Sequence, residues 1–234
     1  METRLDKFLS DNTKYSRSEL KNFIRQGKVT VDGKTTQKPE EKINPDANTV
    51  RISGVTVRPI GLRTVMMHKP KGYVTSTEDP RDPTVMELLP EDYRFWGLNP
   101  IGRLDKDTEG LLLFTNNGDL LHRLTSPKYE VEKCYYAEHE GRVTEEDISA
   151  FAEGLMLKDG LLCKPARLQV LEEGKALVYV KEGKYHQVRR MMAARGHFVH
   201  YLKRISEGAI SLGELKPGEV RELTEEESEA LRQF

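Results

Sequence analysis

Residues 99–120 read NPIGRLDKDTEGLLLFTNNGDL. The first half is a polar loop containing Gly102, Arg103, Asp105, Lys106 and Asp107. The second half holds Leu111 to Phe114, an apolar run suited to a buried strand, and then Asn117-Gly118, a turn pair. A polar loop hung on a strand sunk in the core holds a reactive side chain steady at the mouth of a rigid scaffold. Taken by itself, Asp105 suits a turn or a cap as well as it suits chemistry, and Asp107 is equally eligible on composition.

Working outward, TVMMH at 64–68 predicts a strand that runs into KPKGYVTST and a Pro-rich loop, EDPRDP. Downstream, KCYYAEHE at 133–140 is strand-like. A helix opens at Thr144 and stops at Gly154, and RLQVLEEGKALVYVKEG at 167–183 predicts a hairpin. YHQVRRMMAARG at 185–196 predicts a helix ending at Gly196, and Thr224 with Glu227 caps a last helix. Strands outnumber helices and do not alternate with them, so the fold class is α+β with a mostly antiparallel, mixed sheet in this second region, residues 64–234.

The region before it, residues 1–58, has a different character. Leu5, Phe8 and Leu9 predict a short amphipathic helix. Ser16 and Glu19 form a capping box that opens a second helix closed at Gly27. Its apolar face is Leu20, Phe23 and Ile24, whereas Arg17, Lys21 and Arg25 recur at four-residue spacing on another, with Lys14 and Lys28 near the ends. Such a stripe suits a phosphate backbone, and equally a solvated surface. VTVDGKTT then predicts a tight hairpin turning at Asp32-Gly33. Within GVTVRPIGLR at 54–63, Pro59 and Gly61 punctuate a linker, assigned to residues 59–63.

The net charge of −1 offers no overall surplus for a nucleic-acid partner, but residues 1–58 carry 12 Lys and Arg against 8 Asp and Glu, a surplus of +4 confined to the small region. No apolar run approaches the ~20 residues of a membrane span, and the charged N-terminus lacks a secretory signal, so a cytoplasmic protein without a membrane partner is expected. Cys134 and Cys163 form no CxxC pair, and His197 with His200 lacks further ligands at metal-binding spacing, so no disulfide framework or metal site is expected. Neither GxxxxGK[ST] nor GxGxxG occurs, so no nucleotide cofactor is implied.

RLDKFL and SRSELKNFIRQGKVTVDG resemble the S-four-type RNA-binding domain shared by a ribosomal protein and several RNA-modifying enzymes. That resemblance implies two helices presenting cations to folded RNA, among them Arg17, Lys21, Arg25 and Lys28. Gly102-Arg103-Leu104-Asp105, followed by Thr108, Gly110 and Leu111, resembles the catalytic motif of the RsuA and RluA classes of pseudouridine synthase. EKCYY and EGKYHQVRRMM match further segments in the same order, and the N-terminal domain and overall length resemble the RsuA group.

The resemblance selects Asp105 over Asp107 as the catalytic carboxylate. It makes Tyr135 the tyrosine that stacks on the target base, and Arg189 the cation that pairs with the carboxylate. It also implies ribosomal RNA, small-subunit in the RsuA group, as the partner, and no cofactor. Relatives with the same motifs modify large-subunit RNA, and a noncatalytic RNA-binding assembly factor is the alternative of another class. A monomer is the default expectation.

The residue types fit this chemistry. Converting uridine to pseudouridine breaks a carbon–nitrogen glycosidic bond and rejoins the sugar to carbon 5 of the ring. A carboxylate can add to the sugar or remove the proton from its 2′ carbon. A guanidinium would keep the carboxylate ionised and aimed. A tyrosine supplies a stacking face and a hydroxyl near carbon 5, and Tyr136 would point to the opposite face of its strand. Arg103 and Lys106 flank the carboxylate where phosphates could be received.

Overall fold

In the computed structural model, which describes residues 2–233, Ser16 caps a helix over Arg17–Arg25. Its hydroxyl accepts from the Glu19 amide while the Glu19 carboxylate accepts from the Ser16 amide. This helix packs beside Leu5–Asn12, and Leu5, Phe8, Leu9, Leu20 and Ile24 join Val29, Ile43, Val50 and Ile52 in one core. Below them lies a four-stranded antiparallel sheet in the order Lys34–Thr35, Val29–Val31, Val50–Ile52, Val55–Val57. Asp32 and Gly33 both have positive φ, 49° and 79°, the backbone that a two-residue hairpin turn demands.

The last strand of this sheet falls within residues 1–58, just ahead of the segment assigned as a linker. Val55–Val57 pairs with Val50–Ile52 through a turn at Ser53 and Gly54, again both at positive φ. The chain forms two compact units, and the first takes the chain up to Arg63 together with Pro90–Leu98. The latter segment, read as part of the second region, carries a stacked Tyr93–Trp96 pair, with Arg63 over the Trp96 ring at 5.3 Å.

The second unit, Thr64–Leu89 and the described chain from Asn99 on, is built on a sheet of nine strands among the described residues. Its main path runs Arg167–Glu172, Lys175–Val180, Lys133–His139, Val199–Glu207, Glu109–Thr115, Thr64–Lys69, Val220–Glu222. Every pairing is antiparallel except that of Val199–Glu207 with Glu109–Thr115, where Lys203 meets Glu109 and Arg204 meets Gly110. The sheet is therefore mixed and mostly antiparallel, as the pattern of strands implied.

Gly110 is required at the parallel junction. A Cβ there would lie 2.2 Å from the Arg204 carbonyl oxygen, and φ is +113°. On one side of the sheet Met66, Leu111, Leu113, Leu120, Leu124 and Ile210 form a core cluster. Asn117 departs from its expected place in a turn. Its side-chain oxygen accepts from the Asp119 and Leu120 amides and so caps a helix over Gly118–Thr125. Asparagine serves both purposes, and the apolar spacing of Leu120 and Leu124 decides for the helix. Both cysteines are free and buried.

Candidate active site

The loop from Gly102 to Thr108 joins the strands Asn99–Ile101 and Glu109–Thr115, and it is fastened from beneath by side chains that nothing in the sequence singles out. The Thr75 hydroxyl donates to the Leu104 carbonyl at 2.8 Å and accepts from the Leu104 amide. Lys69, at the end of Thr64–Lys69, is fully buried; its ammonium donates to the carbonyls of Thr108 at 2.9 Å, Pro70 at 3.1 Å and Lys106 at 3.4 Å. Burial pushes the Lys69 ammonium down to about 8, against the pull of Asp107, Asp105 and Glu109. These contacts tie the loop backbone to the sheet and leave the side chains of Arg103, Asp105, Lys106 and Asp107 free of the core.

Asp105 lines a cleft of about 510 Å³ with Thr75, Tyr135, Glu182, Tyr185 and His186. That volume suits a nucleotide-sized group. Burial raises the Asp105 carboxyl above the usual aspartate range, and neighbouring Asp107 raises it further; His186, Arg189 and Lys69 act in the other direction. The closest of these is His186, whose Nε2 lies 3.4 Å from Asp105 Oδ1.

The expected pairing of Arg189 with Asp105 is replaced. Arg189 Nη2 lies 2.9 Å from Asp107 Oδ2, and Nη1 donates to the Val199 carbonyl at 2.7 Å. Asp107 is the more exposed carboxylate and meets the guanidinium at lower desolvation cost, so Arg189 acts on Asp105 only from farther away.

Tyr135 is nearly buried, on the strand Lys133–His139, and reaches the cleft. Its hydroxyl is shifted upward by burial, against the pull of Arg204. Arg204 and Glu207, both fully buried, pair at 3.2 Å, Arg204 Nε donates to the Leu111 carbonyl at 2.8 Å, and Lys133 Nζ lies 3.4 Å from Glu207. A charged group thus lies beneath Tyr135, with no spacing signature in the sequence. Tyr136 takes another course, its hydroxyl donating to Glu138 at 2.9 Å and its ring meeting Tyr201 edge-on.

The flanking cations divide. Arg103 is exposed and lines the cleft, whereas Lys106, which also lines it, is paired with Asp82 at 2.5 Å. In the N-terminal unit Arg25 is exposed and Lys21 half-buried, while Arg17 is paired with the buried carboxylate of Asp6 at 3.3 Å. Lys28 lies over the Phe23 ring at 5.3 Å, and Lys14 is 3.7 Å from Glu91. His197 is buried against Asp147 at 3.1 Å, and His200 lies 3.7 Å from Glu138. No described helix is long and apolar enough to cross a membrane.

Residues 63–194 match the family model described as RNA pseudouridylate synthase, and residues 3–48 match that of the S4 domain. A Bacillus subtilis protein named as an RNA pseudouridine synthase is 44% identical, covering 98% of each chain. The ribosomal small subunit pseudouridine synthase A of Escherichia coli is 42% identical, over 96% of this chain and 97% of that one. A crystal structure of a pseudouridylate synthase superposes with a TM-score of 0.68 at 37% identity, covering 97% of this chain and 99% of the other.

Proposed function

Because the chain belongs to the RNA pseudouridylate synthase family and carries an S4 domain, we propose that it isomerises one uridine of small-subunit ribosomal RNA with Asp105 as the catalytic carboxylate. The observation that carries this reading is a half-buried carboxylate sharing one nucleotide-sized cleft with a tyrosine ring. The relatives named for the small subunit favour that RNA.

A uridine within folded RNA leaves its stack to enter the cleft. Asp105 then adds to the sugar or removes its 2′ proton, and either step uses the ionised carboxylate. The freed base turns and rejoins the sugar through carbon 5, which finally loses its proton. Tyr135 holds the base by stacking and places a hydroxyl near that carbon. Arg189 anchors Asp107 and adds positive field across the loop. Arg103 and Lys106 receive phosphates beside the target, and Arg17, Lys21, Arg25 and Lys28 hold RNA at the N-terminal domain. The protein acts as a cytoplasmic monomer without a cofactor.

Tritium release from transcribed ribosomal RNAs labelled at carbon 5 of uridine tests the proposal. Release from small-subunit RNA, alone or in assembling particles, and its loss in Asp105→Ala, are expected. Release confined to large-subunit RNA would overturn the target. Release that survives the substitution would overturn the catalyst, and none from any RNA or particle would favour a binding factor.

A further inference from the structure

Tyr185 lines the Asp105 cleft with its side chain 74% exposed, a large ring left in solvent beside the reaction centre. The loop that carries it is nonetheless fixed. Gln187, buried at the start of the helix Gln187–Ala194, donates from Nε2 to Glu182 Oε1 at 2.7 Å and accepts at Oε1 from the Lys184 amide at 3.0 Å. The Gln187 amide donates to the Lys184 carbonyl at 3.1 Å, and Arg190 Nη1 donates to the Tyr185 carbonyl at 3.3 Å. This brace holds His186 at φ 48° and ψ 34°, a left-handed conformation that few side chains adopt without cost. Strained backbone that the surroundings over-determine is a mark of functional positioning.

What the brace positions is a pair of stacked rings. The Tyr185 ring lies on the His186 imidazole with centroids 3.9 Å apart and planes 17° from parallel, so one face of the tyrosine is backed and the other is open. The imidazole turns its Nε2 edge toward Asp105 and a face toward Tyr185, which sets the tyrosine to the side of the carboxylate rather than over it. Around the ring the acids are already engaged. Asp159 is paired with Arg190 at 2.5 Å, and the buried Glu182 is bonded to Gln187 and the Lys164 amide, with Lys184 at 3.7 Å. Arg103, exposed on the same cleft, adds a cation. An open aromatic face among cations suits a polyanion that carries flat bases.

We infer that Tyr185 is a stacking platform for the base of the nucleotide that adjoins the target uridine in the RNA chain. Extruding a uridine leaves its neighbour with one face uncovered, at a cost in lost stacking. The Tyr185 ring, backed by His186, covers that face at the rim while the uridine itself occupies the cleft. Stacking tolerates any base, so the platform selects an unpaired or loosened neighbour rather than a sequence. The inference deepens the proposed function and rests on that reading of the cleft.

Two measurements on the full chain test it. Ultraviolet irradiation of the wild-type protein with transcribed ribosomal RNAs, followed by digestion and mass spectrometry, is expected to place a nucleotide adduct on Tyr185. Tritium release from carbon 5 of labelled uridine is expected to show KM raised ~10-fold in Tyr185→Ala, with a smaller fall in kcat, and restored toward wild type in Tyr185→Phe and Tyr185→Trp. A side chain with a merely structural role would not be rescued by the larger tryptophan, and its loss would lower the thermal unfolding temperature, which an exposed ring leaves unchanged.

Tritium release with no adduct at Tyr185, or an alanine variant with wild-type KM, would overturn the platform and leave the isomerase reading standing. An adduct at Tyr185 without release from any RNA would do the reverse. Neither adduct nor release would overturn both. The adduct is read on the unsubstituted chain, so it decides even where the alanine variant fails to fold.

Discussion

Asp6 and Asp105 are two aspartates in two regions of the molecule, and they are held in opposite ways. Asp6, in the N-terminal unit, is buried and accepts from Arg4 at 3.0 and 3.1 Å and from Arg17 at 3.3 Å. These guanidiniums, Arg4 first, hold its carboxyl at about 2. Asp105 has no guanidinium bonded to it, only an imidazole at 3.4 Å, and burial raises its carboxyl. One carboxylate is satisfied by its fold and the other is left with acceptor capacity for something that arrives later. A completed ion pair stabilises a domain, whereas an incomplete one costs stability and keeps reactivity.

The contrast makes its largest prediction at Asp105. Asp105→Asn lowers kcat/KM by ~10³-fold or more, while urea unfolding at neutral pH shows stability unchanged or raised. An aspartate whose folded value lies above its unfolded one stabilises fully at acid pH and loses that contribution as pH rises through the folded value. The asparagine variant therefore gains most at neutral pH. A substantial loss of stability in Asp105→Asn would erase the distinction between the two sites.

Asp6 has the reverse sign and a smaller effect. With its folded value near 2 and an unfolded value near the ordinary aspartate range, its contribution is present above about pH 4 and is lost as pH falls to about 2. Asp6→Asn costs about 1–2 kcal/mol at neutral pH, reduced because both arginines are half-exposed, and it flattens acid unfolding over that interval.

The smallest effect sharpens the assignment of cations. Lys21→Ala and Arg25→Ala each lower the slope of log affinity against log salt by roughly one for RNA binding. Arg17→Gln lowers it less and costs stability, because Arg17 is shared with Asp6. Equal slopes for all three would return Arg17 to the stripe.

Local structure was legible wherever one short segment satisfies itself. The capping boxes at Ser16, Thr144 and Thr224 and the Asp32-Gly33 turn need no distant partner, and each was predicted from adjacent residues. The loop from Gly102 to Thr108 was legible as a polar segment on an apolar strand, and the resemblance chose Asp105 within it. What escaped was long-range charge. Lys69, Arg204 and Glu207 look in sequence like any solvated residue, because burial of an ion pair is decided by strands far apart in the chain. For the same reason the partner of Arg189 was misassigned, since two aspartates two positions apart compete for it. His186 carries no local mark, because its left-handed backbone comes from the Gln187 brace.

The parallel junction at Gly110 has a consequence for how the enzyme comes into being. On one side Glu109–Thr115 pairs with Thr64–Lys69, where Thr64 and Thr115 are 51 positions apart; on the other it waits for Val199–Glu207, with Arg204 bonded to Leu111 across 93 positions. Contacts of such separation repay the entropy of closing a long loop only after it is closed, so they form late and slowly. A nascent chain can complete its N-terminal RNA-binding unit only once Pro90–Leu98 has emerged, and the strand Glu109–Thr115 stays one-sided until nearly nine-tenths of the protein has been synthesised.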